Sequence, residues 1–375
     1  MAVMWPDRRL LDLLQIEHPL VLAPMAAFST VELAASVCAA GGLGSIGCAA
    51  LPPALVRETI GRLRALTTGP INVNFFCHVP APADSRRAEA WRDRLAPYYR
   101  DAGLGSPPPA PAMDLPPFDD AACSVVEAAR PEVVSFHFGL PAPSLLARVK
   151  AAGCRVMSSA TTVQEARWLE ERGADIIIAQ GYEAGGHRAT FPSADMTREV
   201  LSQPGTMALV PQVVDAVLVP VIAAGGIGDA RGIAAAIALG AAGVQLGTAY
   251  LLCPEAGTPP LHREALRQAT ADSTVVTNVL TGRPARALVN RLTRDTALLA
   301  DAVPAFPLAM PDLVALRAET ERRGSRDFSA HWAGQTAALA KEMGGEALTR
   351  LLAQETLERF QQLAGSGNAR RIRQI

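Results

Sequence analysis

VPVIAAGGIGDARGIAAAIALGAAGVQLGT (219–248) holds a complete strand–helix–strand unit. Val219–Ala224 and Gly243–Thr248 are short apolar runs bounded by Pro or Gly, and Ala230–Leu239 between them has the apolar period of a helix. The same alternation recurs toward the N-terminus. Further strands are expected at Leu20–Met25, Gly42–Gly47, Ile71–Phe76, Val133–Gly139, Arg155–Ala160 and Asp175–Gln180. Crossover helices are expected at Val31–Ala40, Ala54–Leu66, Ala121–Ala129, Ser144–Ala152, Val163–Arg172 and Gly205–Val217. Eight such units predict an α/β fold of the (β/α)8 TIM-barrel type, whereas a six-stranded doubly wound sheet would leave units unexplained. Composition agrees. Of 375 residues, 49% are hydrophobic but only 5% aromatic, so small branched side chains build the core, as suits a parallel sheet covered by helices.

Two stretches break the rhythm. Val79–Asp119 is an inserted, Pro-rich segment (SPPPAPAMDLPP) with a charged helix at Ser85–Asp101, and composition allows either a lid or a disordered surface excursion. After Leu252 the strand signal stops, and Met310–Ala318, His331–Glu342 and Glu346–Ala364 read as helices. The expected organisation is a barrel over residues 1–269 and a mostly α-helical C-terminal segment over 270–375 beside its mouth, with a frayed tail from Gly365 to Ile375.

A formal charge of −1 and the lack of a basic, aromatic-interleaved run argue against nucleic acid as a partner. No apolar stretch reaches the length of a membrane span. The N-terminus carries Asp7, Arg8, Arg9 and Asp12 where a signal peptide needs an apolar centre. Six scattered cysteines in apolar segments read as reduced core residues. A cytoplasmic protein without a membrane partner is therefore expected, and a homodimer is compatible with this reading.

In such a barrel the active site lies at the C-terminal strand ends. The last two strands end in Gly225-Gly226 and in Gln245-Leu246-Gly247-Thr248, where backbone N–H groups and the Thr248 hydroxyl can cradle a phosphate. The sixth strand runs into QGYEAGGHR (180–188): Gln180 can meet a heterocycle edge, Gly185 and Gly186 leave room for a ligand, and His187 suits acid–base work near neutral pH. Few apolar neighbours in that Gly-rich loop are expected to bury His187. Arg188 can meet an anion or face solvent. Asn72 and Asn74 share one face of the third strand, and a buried amide needs a partner, so Asn74 is taken to meet the ligand. In SFHFG (135–139) either His137 or the pair Phe136 and Phe138 points inward; His137 is then a satisfied core residue or a second substrate-facing histidine. At the first strand's end, Met25 and its small neighbours can flank a flat ring.

These motifs, in this order, resemble the nitronate monooxygenases, formerly called 2-nitropropane dioxygenases. LAPM, NVNFF, SFHFG, QGYEAGGHR, AAGGI and QLGT cover the barrel; TGRPAR (281–286) resembles the family's SGRxAR segment and WAGQ (332–335) its C-terminal one. The resemblance implies a non-covalent FMN across the barrel mouth, contacted by Met25, Asn74, Gln180, Gly185, Gly186, Gly225, Gly226 and Gln245 to Thr248. It also implies oxidation of an alkyl nitronate by O2 to a carbonyl compound and nitrite, with His187 handling protons and positioning substrate. The flavin supplies the redox chemistry and the protein its orientation. The chain departs from the pattern at Ala189-Thr190-Phe191, where many relatives have Gly after Arg, and at Phe306, where a branch accepting small anionic nitronates places Tyr. With four tyrosines in the chain, Tyr250 is the hydroxyl expected to face substrate.

Two other readings compete. The same barrel and FMN could take electrons from NAD(P)H and pass them to a quinone or an enoyl thioester, because the EAGGH loop also occurs in flavin-dependent enoyl reductases. A flavin- or partner-binding barrel without activity is permitted by fold alone. The histidines form no HxH or HxxxH pair, so no metal is expected.

Overall fold

The computed structural model describes residues 4–108, 115–191 and 195–371. The strands are β1 (Leu20–Leu22), β2 (Gly44–Gly47), β3 (Ile71–Phe76), β4 (Val133–His137), β5 (Arg155–Ala160), β6 (Ile176–Gln180), a two-residue β7 (Gly186–His187), β8 (Val221–Ala224) and β9 (Gly243–Leu246). All except β7 join one parallel sheet in the order β1-β9-β8-β6-β5-β4-β3-β2, and a Val21 to Leu43 bridge closes it. This is the (β/α)8 TIM barrel that the strand count called for. Its strands are buried on both faces, which is why they read as apolar runs without alternation. Side-chain oxygens cap the helices that follow: Thr30, Asp119, Thr162 and Asp229 each accept a first-turn N–H, so each helix starts where its strand's loop ends.

The pleat sorts polar from apolar at the mouth. Asn74, Ser135, His137, Ser159 and Gln180 turn into the barrel, while Phe136 faces the other way and packs on Phe118 with ring centroids 5.2 Å apart. That resolves the two alternations open in SFHFG in favour of His137.

The C-terminal segment departs from its expected form. Two more strands, β10 (Thr274–Thr277) and β11 (Ala285–Leu288), make an antiparallel hairpin, and β11 also pairs with β7, setting Ala285 opposite His187. ARAL has no β-branched residue; the partner strands on either side make it a strand, a tertiary effect that local propensity does not carry. The helix expected at His331–Glu342 is absent. Trp332 bridges to Ala287 and only a short turn forms at Ala337–Leu339, because this stretch gives its amides to the catalytic-face loops: Gln335 N donates to Glu183 O at 3.0 Å and Gly334 N to Thr248 Oγ1 at 2.9 Å. The last helix, Gly345–Arg371, runs on through residues expected to fray, and 372–375 lie outside the described residues. Leu348, Leu352 and Ala353 of this helix join the barrel's own core.

In the insertion, Ser85–Asp101 is helical as expected, and Trp91, Leu95, Tyr98 and Tyr99 pack on Val279, Leu292, Leu313, Leu316 and Phe328 in a second core. Tyr99 donates to the Asp312 carbonyl at 2.8 Å. The described part of the insertion is thus fastened to the C-terminal segment; residues 109–114 of its Pro-rich run lie outside the described residues. Among the described residues no helix is long and apolar enough to cross a membrane.

Candidate active site

A cavity of about 500 Å³ opens at the C-terminal mouth of the barrel. Met25, Asn74, His137, Gln180, Gly185, Gly186, His187, Gly225, Gly226, Gln245, Gly247 and Thr248 all line it. Two expected site residues do not. The Leu246 side chain alternates away from its neighbours into the core, so only its backbone is near the site. Tyr250 lies in the turn after β9 and is fully buried, its hydroxyl 2.8 Å from Thr349 Oγ1 on the last helix. The hydroxyl expected to meet substrate is spent on fastening that helix to the barrel.

One end of the cavity is made of backbone. Gly225 and Gly226 follow β8 with φ of 103° and 70°, conformations that a β-branched residue resists. A Cβ on Gly225 would stand 2.8 Å from Ala184 N, and one on Gly226 would stand 3.3 Å from the Glu183 side chain. Glu183 holds this turn from below: its carboxylate accepts from Thr206 N at 2.8 Å and Thr206 Oγ1 at 2.9 Å. Thr206 Oγ1 also lies 2.7 Å from the Gly225 carbonyl. Thr248 accepts from Gly334 and so keeps its hydroxyl proton for a ligand. Glycine turn, Thr248 hydroxyl and open space together can hold a phosphate.

Next to it stand two amides with unspent carbonyl ends. Asn74 Nδ2 donates to Ser135 O at 3.1 Å and Ser135 Oγ at 3.0 Å, which leaves its oxygen to the cavity. Gln245 also lines the wall, and its Oε1 is buried there without a partner among the described residues. A heterocycle bearing N–H groups and linked to a phosphate fits this set. Gln180 is less available than its position suggested: Nε2 donates to the His187 carbonyl at 3.0 Å and Oε1 accepts from Ala189 N at 2.9 Å. It braces the loop.

At the other end His187 sits among rings, contrary to the expectation that a Gly-rich loop would leave it few apolar neighbours. Trp332, Phe306, Phe138 and Phe76 have centroids 5.2, 5.3, 6.0 and 6.4 Å from its own. Only Phe76 and Phe138 come from barrel strand ends. Burial, then the positive charges that His137, Arg283 and His78 can carry, push the His187 imidazole down to about 3, so it is neutral at physiological pH. Nε2 lies 3.0 Å from Thr281 Oγ1. His137 is satisfied by neighbours, with Nε2 3.2 Å from the His187 carbonyl and Nδ1 3.4 Å from Ser159 Oγ. Burial pushes it also to about 3. It lines the wall, but its polar contacts support the loop.

Arg188 neither meets an anion nor faces solvent. It is buried and donates to Gln203 Oε1, Gly181 O and Gln180 O at 2.8, 2.6 and 2.8 Å, tying the loop back to β6. Arg283, which sequence reasoning passed over, lies 3.7 Å above the Phe138 ring and donates to the Thr190 carbonyl. On the side of the C-terminal segment the cavity has a vestibule lined by Leu280, Phe306, Phe328 and, on the helix Pro311–Arg322, by Leu313, Val314 and Arg317. Thr281 and Arg283 were visible in the sequence only as parts of TGRPAR; nothing local tied them to His187.

The sequence profile of the nitronate monooxygenase family matches residues 7–355. The nitronate monooxygenase of Paraburkholderia phytofirmans is 43% identical over 366 residues, covering 96% of this chain and 98% of that protein. Among solved structures, a nitroalkane oxidase from Streptomyces ansochromogenes superposes with a TM-score of 0.84 at 37% identity, covering 93% of this chain and 98% of that one. FabK from Thermotoga maritima superposes with a TM-score of 0.70 at 29% identity, covering 96% and 98%.

Proposed function

The chain belongs to the nitronate monooxygenase family, and we propose that it binds FMN in the barrel-mouth cavity and oxidises alkyl nitronates with O2 to a carbonyl compound and nitrite. The observation that carries the cofactor assignment is the glycine-floored end of the cavity, where the Gly225–Gly226 turn and the Thr248 hydroxyl adjoin the free side-chain carbonyl of Asn74. Gly225, Gly226, Gly247 and Thr248 would take the phosphate, and Asn74 and Gln245 would line the ring's edge. Met25 and Gly185 would flank the ring, with Gly186 and Gln180 behind them. When bound, the isoalloxazine supplies the electron transfer between nitronate and O2.

The chain's own residues do the rest. The rings of Phe76, Phe138, Phe306 and Trp332 exclude water from the reacting carbon, and the neutral His187 imidazole holds or moves a proton beside it. Hydrogen bonds from His137 and Gln180 to the His187 carbonyl fix the loop, so the imidazole keeps one position through turnover. Leu280, Phe306, Leu313, Val314 and Phe328 give the vestibule apolar walls that suit alkyl chains, and Arg317 adds a cation at its helix face.

The test is anaerobic mixing of purified protein with a primary alkyl nitronate and, separately, with NADH and NADPH, following flavin absorbance. Bleaching by the nitronate is expected. Bleaching only by a pyridine nucleotide would favour the NAD(P)H-dependent reading on the same barrel. Absence of a flavin spectrum would remove the cofactor assignment.

A further inference from the structure

Which ring nitrogen of His187 carries the proton follows from counting hydrogen bonds one residue away. Nε2 lies 3.0 Å from Thr281 Oγ1, a contact that either partner can donate. Thr281 has a single hydroxyl proton. Its other neighbour is the Arg283 carbonyl at 3.2 Å, and among the described residues no other donor reaches that carbonyl. Arg283 is 6% exposed, so turning the hydroxyl toward the imidazole would leave a buried acceptor unmet. The Arg283 N–H, 3.4 Å from Oγ1, also presents a donor to that oxygen rather than an acceptor. Every group is satisfied only if the Thr281 proton goes to Arg283 and Oγ1 accepts from His187.

We propose that Thr281 is a positioning residue that locks His187 in the Nε2–H tautomer and turns the bare Nδ1 lone pair toward substrate. Nδ1 makes no hydrogen bond among the described residues, yet it is not among the buried orphaned atoms, so it opens on the cavity that His187 lines. The opposite tautomer would leave two lone pairs, Nε2 and Oγ1, facing each other across one proton needed elsewhere. The β7–β11 pairing sets the distance, because His187 lies opposite Ala285 while Thr281 closes the β10–β11 turn on the same hairpin. This assignment rests on the reading of His187 as the proton-handling group, and the tautomer can be read without any turnover.

The experiment is 15N NMR of the histidine-labelled flavoprotein, with the His187 signals identified by their loss in His187→Asn. One N–H-type resonance at Nε2 and one bare-nitrogen resonance at Nδ1 are expected, unchanged from pH 6 to pH 8. Thr281→Val removes the acceptor; it should mix or reverse the two resonances and lower kcat about 10-fold with flavin retained, the scale of one misdirected acid–base group. Thr281→Ser should restore both. A wild-type Nδ1–H tautomer would overturn the assignment even if Thr281→Val does not fold. So would a Thr281→Val protein that folds with unchanged His187 resonances or unchanged kcat. A correct tautomer in a protein that does not oxidise nitronates would leave the positioning intact and remove the proposed reaction instead.

Discussion

The two ends of the cavity are built by different means. At the phosphate end, Gly225, Gly226 and Thr248 follow directly on β8 and β9, and what they offer is backbone and one hydroxyl. At the His187 end, the working surface is assembled from side chains far apart in sequence: Phe76, Phe138, Phe306 and Trp332 around the ring, with Thr281 at its Nε2. The first end depends on conformations that only glycine takes easily; the second depends on a hairpin and a WAGQ turn docking onto the barrel. Damage at one end should therefore cost the cofactor and damage at the other should cost the reaction.

Gly226→Val is the most severe way to challenge that separation. A β-branched residue at φ of 70° is strained, and its side chain would enter the space above Glu183. Flavin should be lost on purification and affinity for added FMN should fall at least ~100-fold, read by fluorescence titration, with far-UV circular dichroism unchanged because the turn lies outside the core. Normal flavin retention would contradict the cradle. His187→Asn is the counterpart at the other end: flavin content as wild type, turnover of alkyl nitronates lower by ~10²-fold, the scale of an acid–base group. If that variant instead loses flavin, the two ends are not separable.

The same division marks what was legible in the sequence. Barrel, strand positions and the glycine-floored end of the cavity could be read because each is local: a glycine pair after a strand, an Asn at period two, a loop directly after β6. Asn74 was found by its awkwardness as an amide in an apolar strand, and Gln245 by its place at a glycine-bearing strand end. The His187 end was only half visible. QGYEAGGHR marked the histidine, but its acceptor is 94 positions away, and β11 becomes a strand through a partner that no periodicity in ARAL announces. Tyr250 misled for a related reason: position after a strand says where a backbone goes, whereas the Tyr250 hydroxyl was claimed by Thr349 of a helix whose docking the sequence left open. Arg188 likewise stood open between an anion and solvent because its three backbone and side-chain acceptors lie in a fold-back of the loop.

The vestibule sharpens the contrast from the substrate side. Leu280, Met310, Leu313, Val314 and Phe328 offer apolar contact beyond His187 and leave room for a chain. Primary nitronates from propyl to hexyl should show KM falling by up to ~4-fold per added methylene, the limit set by about 0.8 kcal/mol for each one fully buried. Val314→Glu should flatten that series without changing flavin content. A series that is flat in the wild type would mean that substrate does not extend along this helix.

The smallest effect separates His187 from a second histidine group that has nothing to do with the cavity floor. His262 and His331 stack with centroids 4.5 Å apart and planes 3° from parallel. Both are buried, and among the described residues neither His262 ring nitrogen nor His331 Nδ1 makes a hydrogen bond of good geometry, although the Trp332 backbone lies close to His262. Burial, followed for His262 by the charge that His331 can carry and for His331 by Arg326, pushes them down to about 3 and about 4. The unfolded chain takes up protons on these rings as pH falls through about 6.5, and the folded chain does not. Their contribution is therefore fully present above that pH and is lost as pH falls toward the folded values, reaching at most about 2 kcal/mol per ring at pH 5. His137 and His187 add losses of the same sign over the same window. Melting temperature should decline from pH 7 to pH 5. His262→Phe should make that decline shallower while flavin content and nitronate turnover stay as in the wild type, because the ring it replaces touches Phe28 and His331 rather than His187. An unchanged slope would assign the acid sensitivity to the cavity histidines, and then His187→Asn should flatten it instead.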